Sequence, residues 1–499
     1  MTQKIYNNLY LSSLGYLEST AQSKILHICQ LFFESLNSNN IRYCHWKSNS
    51  HLEKALAGKT DLDILVHKDD KREFELLLEQ FDMKRILSPP EKRFPDIKDY
   101  LGFDYQTGSL IHLHIHYRLI LGQKYIKNHH LPIEDIIFQN LALRNSVFIP
   151  IPEIELILLI MRAHMKADLI SIMKHGIRDL FGNARSPFPY DIEEEFIELI
   201  YSCDMKKLCN ILYQFNLPLS EKIFFAFMNK FLDRKLRWYD VLKIKWEIMV
   251  PLKAFRRQKR ISLYLRYLFL IICHWPVVNK LYKPKKKTLI GNGKMFSIVG
   301  ADGSGKSTLA TDIERWLSWK LSVRKYYFGI PKTNFPKIMS FYIRLVRKLD
   351  LNYIATLFEC YFWFYVAKKR YHISKASQNN IKNGKVVITD RFALKEFHSM
   401  KNPMDGPRLR RNNTRIGSFF SKLEERYYDR IMPPDGVFVL RVSIEELRRR
   451  KTDLDLSAHK IKANAVNAVR SNRPIIVVDA NRSYPDVLLD VKRQLWKLL

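Results

Sequence analysis

Eight consecutive residues, Gly300-Ala301-Asp302-Gly303-Ser304-Gly305-Lys306-Ser307, fit the spacing GxxxxGK[ST] in full. They stand between a buried-strand pattern, KMFSIVG, and a helical one, STLATDIERWLSWKL. A loop of this kind turns backbone N–H groups inward around phosphate oxygens. Lys306 adds a cation, Ser307 offers a hydroxyl to Mg²⁺, and Thr308 continues into a helix whose N-terminal dipole favours an anion. Five of the 17 glycines fall between 291 and 305, so backbone freedom is concentrated where this chemistry needs it. The bland alternative is a tight strand-to-helix turn with no ligand.

A second strand-end candidate is Thr389-Asp390-Arg391-Phe392, closing the run KVVITD. Ligands of open α/β sheets lie at the carboxyl ends of strands, so Asp390 and Arg391 are expected to face the same crevice as the phosphate loop. The carboxylate could hold Mg²⁺ or take a proton, and the guanidinium could grip an acceptor phosphate. A surface ion pair uses the same two residues.

From these motifs, with PPDGVFVLRVSIEELRRRK and PIIVVDANRSYPDV, residues 294–499 resemble the thymidylate kinase family of P-loop nucleoside monophosphate kinases. The resemblance implies ATP and Mg²⁺ as cofactors and a nucleoside monophosphate, dTMP first, as acceptor. It implies a catalytic or metal-linked role for Asp390, an acceptor-phosphate contact for Arg391, and a sugar contact for Asp302. It also implies a lid of arginines beginning at Arg448, Arg449, Arg450 and Lys451, with Arg449 supplying charge to the transferring group. Gly303 stands where some family members carry an arginine, so that charge is expected from the lid. A solvated basic helix end accounts equally for the lid residues. Arg408, Arg410 and Arg411 could bind a second anionic group.

Nearer the start, Asp61-Leu62-Asp63 lies in GKTDLDILV, where strand alternation puts both carboxylates on one face. Such a pair can chelate a divalent metal that holds a triphosphate and activates a hydroxyl. Two solvated aspartates on an outer strand face are the plain alternative. Trp46-Lys47-Ser48-Asn49, then HLEKALA, then this strand resemble the nucleotidyltransferase superfamily over roughly residues 20–180, with Lys47-Ser48 in place of Gly-Ser. The superfamily takes a third carboxylate from a later strand, where this chain reads IHLHIHY. His112, His114 and His116 share one face there and could complete a metal site, His116 foremost. The polar outer face of an edge strand fits the same letters.

These motifs need two kinds of scaffold. Residues 41–150 alternate strand-like runs with turns, and the pattern from 153 to about 280 is helical. After 291, buried strands alternate with helices, which implies a parallel sheet covered on both faces. The expected architecture is α/β throughout. Residues 1–180 form a nucleotidyltransferase-like domain, 181–290 a helical basic connector, and 291–499 a P-loop kinase domain. A stretch from Ile248 to Ala301 has no acidic residue and twelve Lys or Arg, and KPKKK with Gly291-Asn292-Gly293 places a boundary near 290.

Composition narrows the function classes. The chain has 499 residues, 47% hydrophobic and 27% charged, which is ordinary globular usage. Six scattered cysteines without CxxC spacing speak against a disulfide scaffold or zinc ribbon and suit a reducing, cytoplasmic compartment. No secretory signal is visible at the start. The first 200 residues carry 23 Lys+Arg against 26 Asp+Glu, leaving 60 against 24 for the rest. That field suits polyanions, anionic lipid or phosphorylated substrates. No nucleic-acid-binding motif accompanies it, so nucleic acid rests on charge alone. The run 261–278, flanked by cations, is too short to span a bilayer and reads either as a helix lying on an anionic membrane or as a core helix. The alternatives to a nucleotide kinase are an enzyme acting on sugar-linked intermediates of surface polysaccharide, a nucleotide-sensing scaffold, and a nucleic-acid binder. Oligomeric state is not readable.

Overall fold

In the computed structural model, residues 24–123, 126–167, 187–258, 286–395, 404–409, 414–450, 456–469 and 474–499 are described, with a few single positions between them. The chain divides into two compact units, Met1–Pro284 and Lys285–Leu499.

Unit 1 is built on a mixed sheet of β1 (Tyr43–His45), β2 (Asp61–Val66), β3 (Lys84–Leu87), β4 (Ile97–Phe103) and β5 (Leu110–His116), in the order β1-β2-β5-β4-β3. β2 and β5 are parallel neighbours, and β4 runs antiparallel to β5. Strand alternation sorts the residues. Leu62, Ile64 and Val66 with Ile111, Leu113 and Ile115 join one core with α1 (His27–Ser38), α2 (Leu52–Leu56) and α3 (Lys71–Gln80). The other face carries Asp61 and Asp63 in register with His112 and His114.

Two hairpins follow, β6 (Ile120–Gln123) with β7 (Ile126–His130) and β8 (Leu141–Arg144) with β9 (Val147–Pro150), separated by α4 (Glu134–Gln139). α5 (Pro152–Lys166) starts with a proline, which costs nothing at a first helical turn, and is buried nearly all round, through the apolar run Ile157–Met161 and with Glu153, Glu155, Arg162 and His164 buried as well. It shares a second core with α6 (Tyr190–Ser202), α7 (Met205–Gln214), α8 (Glu221–Leu232) and α9 (Trp238–Met249). The helices expected in a connector from 181 thus pack with α5 in unit 1. Of the apolar run 261–278, only scattered positions are described. No helix among the described residues is long and apolar enough to cross a membrane.

Unit 2 carries an all-parallel sheet of β10 (Met295–Gly300), β11 (Val323–Tyr327), β12 (Val386–Asp390), β13 (Gly436–Arg441) and β14 (Ile475–Asp479), in the order β11-β12-β10-β13-β14. Each strand is followed by helix, in order α10 (Lys306–Leu317), the pair α11 (Asn334–Lys348) and α12 (Asn352–Lys382), α13 (Arg415–Asp429), the pair α14 (Ile444–Arg450) and α15 (Leu456–Ala468), and α16 (Tyr484–Leu498). Central β10, β12 and β13 are apolar and buried almost throughout, which is why they were legible as strands. β11 was not anticipated: it is an edge strand whose Arg324 and Lys325 are exposed, and edges are commonly charged. β10 and β12 are adjacent, so Gly300 and Asp390 end at one rim of the sheet.

Candidate active site

At that rim the phosphate loop turns through Gly303 (φ +89°) and Gly305 (φ +87°), conformations that side-chain-bearing residues rarely adopt, and Gly305 caps α10. Gly300 is needed for space: a Cβ there would meet Ser304 Oγ at 2.6 Å and the Leu440 carbonyl at 3.0 Å. Lys306 is buried, and its Nζ donates to the Ala301 carbonyl at 2.5 Å. Burial, and next the Arg391 charge, pull its pKa down from 10.5 to about 8. Ser307 and Thr308 are exposed on the first turn of α10.

Ser307 Oγ donates to Asp390 Oδ2 at 2.6 Å, although the two residues are 83 positions apart. The second oxygen, Asp390 Oδ1, is buried with no hydrogen-bond partner. An unsatisfied carboxylate oxygen beside a hydroxyl is the donor chemistry that a hard cation such as Mg²⁺ takes, so these residues fit the ion.

Arg391 has φ +75°, a strained backbone for a non-glycine residue that places its guanidinium over the same rim. Its Nη2 donates to Asp302 Oδ1 at 2.7 Å, and Nη1 lies 3.5 Å from Asp405 Oδ2. Burial opposes that charge, but Asp405 and Asp302 hold its pKa above the ordinary value. Asp302 also accepts from Lys462 of α15 at 2.9 Å and lies 3.8 Å from Lys306. Burial alone would raise its pKa, yet these cations hold it well below the carboxylate range. Behind Arg391, the fully buried Arg370 of α12 donates to the Phe328 carbonyl at 2.7 Å, to Asp405 Oδ1 at 2.9 Å and to the Tyr428 hydroxyl. Asp405 therefore bridges the buried arginine and the rim arginine.

Thus Lys306, Ser307, Asp390, Arg391 and Asp302 come together. Arg449 does not join them: it is exposed and engaged by Glu446 one turn earlier in α14, at 2.8 Å. Arg450 pairs with the same carboxylate, so the exposed helix end is what α14 presents. Lys451, Arg410 and Arg411 lie outside the described residues. Arg408 stacks its guanidinium 4.4 Å from the Trp363 ring centroid. Lys462, Arg370 and Asp405 were missed. No motif marks them, because their roles arise from packing of segments far apart in sequence.

In unit 1, Asp61 and Asp63 have different partners. Asp61 Oδ1 lies 2.9 Å from His112 Nδ1, whereas Asp63 Oδ1 is 2.7 Å from Lys47 Nζ. Ligand atoms of Asp63, His114 and His116 all fall within 4.8 Å of one another, and Asp61 is not in that group. Burial takes the pKa of His114 down to about 3 and that of His116 well below 6.5, so both rings are neutral at pH 7. Lys47 and His114 outweigh burial at Asp63 and bring its carboxyl to about 2. A buried carboxylate that sequence reasoning missed, Asp99 of β4, lies opposite His114 and within 3.4 Å of its Nδ1. Lys127 of β7 adds a second cation, brought down to about 7 by burial and the Lys47 charge.

No family model matches the chain. Weak sequence similarity links it to two kinds of protein. It is 23% identical over 227 residues to the Escherichia coli K12 "Uncharacterized ATP-binding protein YghR", covering 42% of this chain and 89% of that one. It is 24% identical over 229 residues to a thymidylate kinase from Mesoplasma florum, covering 40% of this chain and 97% of that one. Among solved structures, a Candida albicans thymidylate kinase is 20% identical, covers 42% of this chain and 91% of that one, and has a TM-score of 0.27. The relatives match under half of this chain.

Proposed function

We propose that unit 2 transfers the γ-phosphoryl group of ATP to a phosphorylated acceptor of the nucleoside monophosphate class, dTMP first. The observation that carries this reading is the Ser307–Asp390 pair, with its unsatisfied carboxylate oxygen, held against the phosphate loop one residue before Arg391. The names of the relatives, an ATP-binding protein and a thymidylate kinase, support the same class. An acceptor phosphate oxygen attacks the γ-phosphorus, the bond to the β–γ bridging oxygen breaks, and ADP leaves. Lys306 neutralises charge on the β- and γ-phosphates, Arg391 orients the acceptor, and Asp302 and Asp405 hold Arg391 in place. Ser307 and Asp390 are the residues that would hold Mg²⁺. When bound, that ion supplies charge neutralisation at the transferring group. With Arg449 turned to Glu446, Lys462 of α15 is the cation that this reading brings to the loop from the region after β13.

The test is transfer from γ-labelled ATP with Mg²⁺ to a panel of nucleoside monophosphates, sugars and sugar phosphates. Labelled nucleoside diphosphate is expected, with at least about a 100-fold loss in Lys306→Ala, the scale of losing one transition-state contact. Label on a sugar instead would move the acceptor to the polysaccharide reading. ATP binding without transfer to any acceptor would leave a nucleotide-sensing module.

For residues 1–180, the nucleotidyltransferase-like reading is likewise ours. Its support is the helix-then-strand order ahead of Asp61 and Asp63 on one sheet face. The Lys47–Asp63 ion pair favours ligand binding over classical nucleotidyl transfer, because a cation already neutralises one carboxylate of the pair.

A further inference from the structure

The polar face of the unit 1 sheet holds groups whose chemistry the phosphotransfer reading leaves unused. His116 is wholly buried, and neither of its ring nitrogens has a hydrogen-bond partner. His114 Nε2 is also buried without one. Three such atoms in one place are uncommon, since buried polar groups are nearly always paired. The two rings stack with centroids 4.7 Å apart, and Trp46 meets His116 edge-on at 5.1 Å, so the imidazoles are fixed by packing. Asp63 lies beside them.

We infer that Asp63, His114 and His116 form a binding site for one borderline transition-metal ion of the Zn²⁺ or Co²⁺ class, distinct from any Mg²⁺ site at the phosphate loop.

Ligand type decides the class. Two imidazole nitrogens and one carboxylate suit Zn²⁺, Co²⁺, Fe²⁺ or Ni²⁺, whereas Mg²⁺ seeks oxygen ligands in an octahedron. Metal-bound imidazoles are characteristically oriented by a carboxylate on their other nitrogen. Asp99 stands on that side, its Oδ1 3.4 Å from His114 Nδ1 and 3.2 Å from His112 Nε2; with the ring proton on Nδ1, His114 Nε2 presents its lone pair. Lys47 sits on Asp63 as a monovalent counter-charge, and an ion bound by all three side chains takes its place. The paired-carboxylate arrangement expected from the sequence is different, because Asp61 is turned to His112 and stands outside the group.

The experiment uses the full-length protein, stripped with a chelator and titrated with Co²⁺, whose visible absorption reports coordination directly, while mass spectrometry of the metal counts retained Zn²⁺. One equivalent of Zn²⁺ and saturable Co²⁺ bands are expected. In His114→Gln and Asp63→Asn, affinity is expected to fall at least tenfold, with far-UV circular dichroism unchanged. Asp61→Asn and Lys306→Ala are expected to bind as the parent does. Wild-type protein without Co²⁺ bands, or equal loss in Asp61→Asn and Asp63→Asn, would overturn the assignment. Because the wild-type titration decides first, misfolding of a variant does not shield the proposal. Because Lys306→Ala abolishes the unit 2 chemistry only, failure here and failure of the kinase reading are separate results.

Discussion

At the residue scale, the phosphate loop couples charge to acidity. Burial and Arg391 leave Lys306 with a pKa of about 8, below its ordinary 10.5, so its cation is present below pH 8 and lost above it. If that cation binds the triphosphate, ATP affinity must fall as pH rises through 8, approaching a tenfold weaker Kd per pH unit above it. Calorimetric titration between pH 7 and 9.5 checks this, and Lys306→Ala should show weaker binding with no such step. Asp63 is governed in the opposite sense by Lys47: removing the ammonium in Lys47→Met should let burial raise the Asp63 carboxyl well above its value of about 2. Carbon-detected NMR titration of that carboxyl would register the rise.

At the element scale, α12 does more than cover the sheet. Its Arg370 is a buried charge tied to Asp405, Tyr428 and the Phe328 carbonyl, and Asp405 in turn meets Arg391. Breaking a buried pair from one side costs about 3–5 kcal/mol, because the partner stays buried and uncompensated. Arg370→Met should therefore lower the unfolding free energy of unit 2 by an amount of that order, read as a fall in the urea midpoint at unchanged slope. It should also raise the acceptor KM more than the ATP KM, since Arg391 loses its support. None of this was legible from the chain. The loop and Asp390 could be read because each is a local pattern at the end of an apolar strand. Arg370 sits within a 31-residue helix among aromatic and basic neighbours that look like surface, and Asp405 and Lys462 meet their partners across 35 and 160 residues of sequence. Strand alternation did reveal the shared face of Asp61, Asp63 and the three histidines. It could not say which carboxylate each imidazole meets, because that depends on register between β2, β5 and β4.

At the scale of the whole molecule, the two units have separate apolar cores. Leu158, Phe196 and Phe227 belong to one in unit 1, and Val299, Val387 and Val439 to another in unit 2. Chains built this way need not melt in a single cooperative event, so one Tm would be an ill-defined quantity. Differential scanning calorimetry should resolve two endotherms. Each ligand becomes a label for its own transition: ATP at 100 times its Kd adds about 2.7 kcal/mol to whichever unit binds it and nothing to the other. A shift confined to one endotherm on adding ATP, and to the other on adding Zn²⁺, would assign both transitions without cutting the chain. Heat flow would thereby map which half of the polypeptide answers to which small molecule.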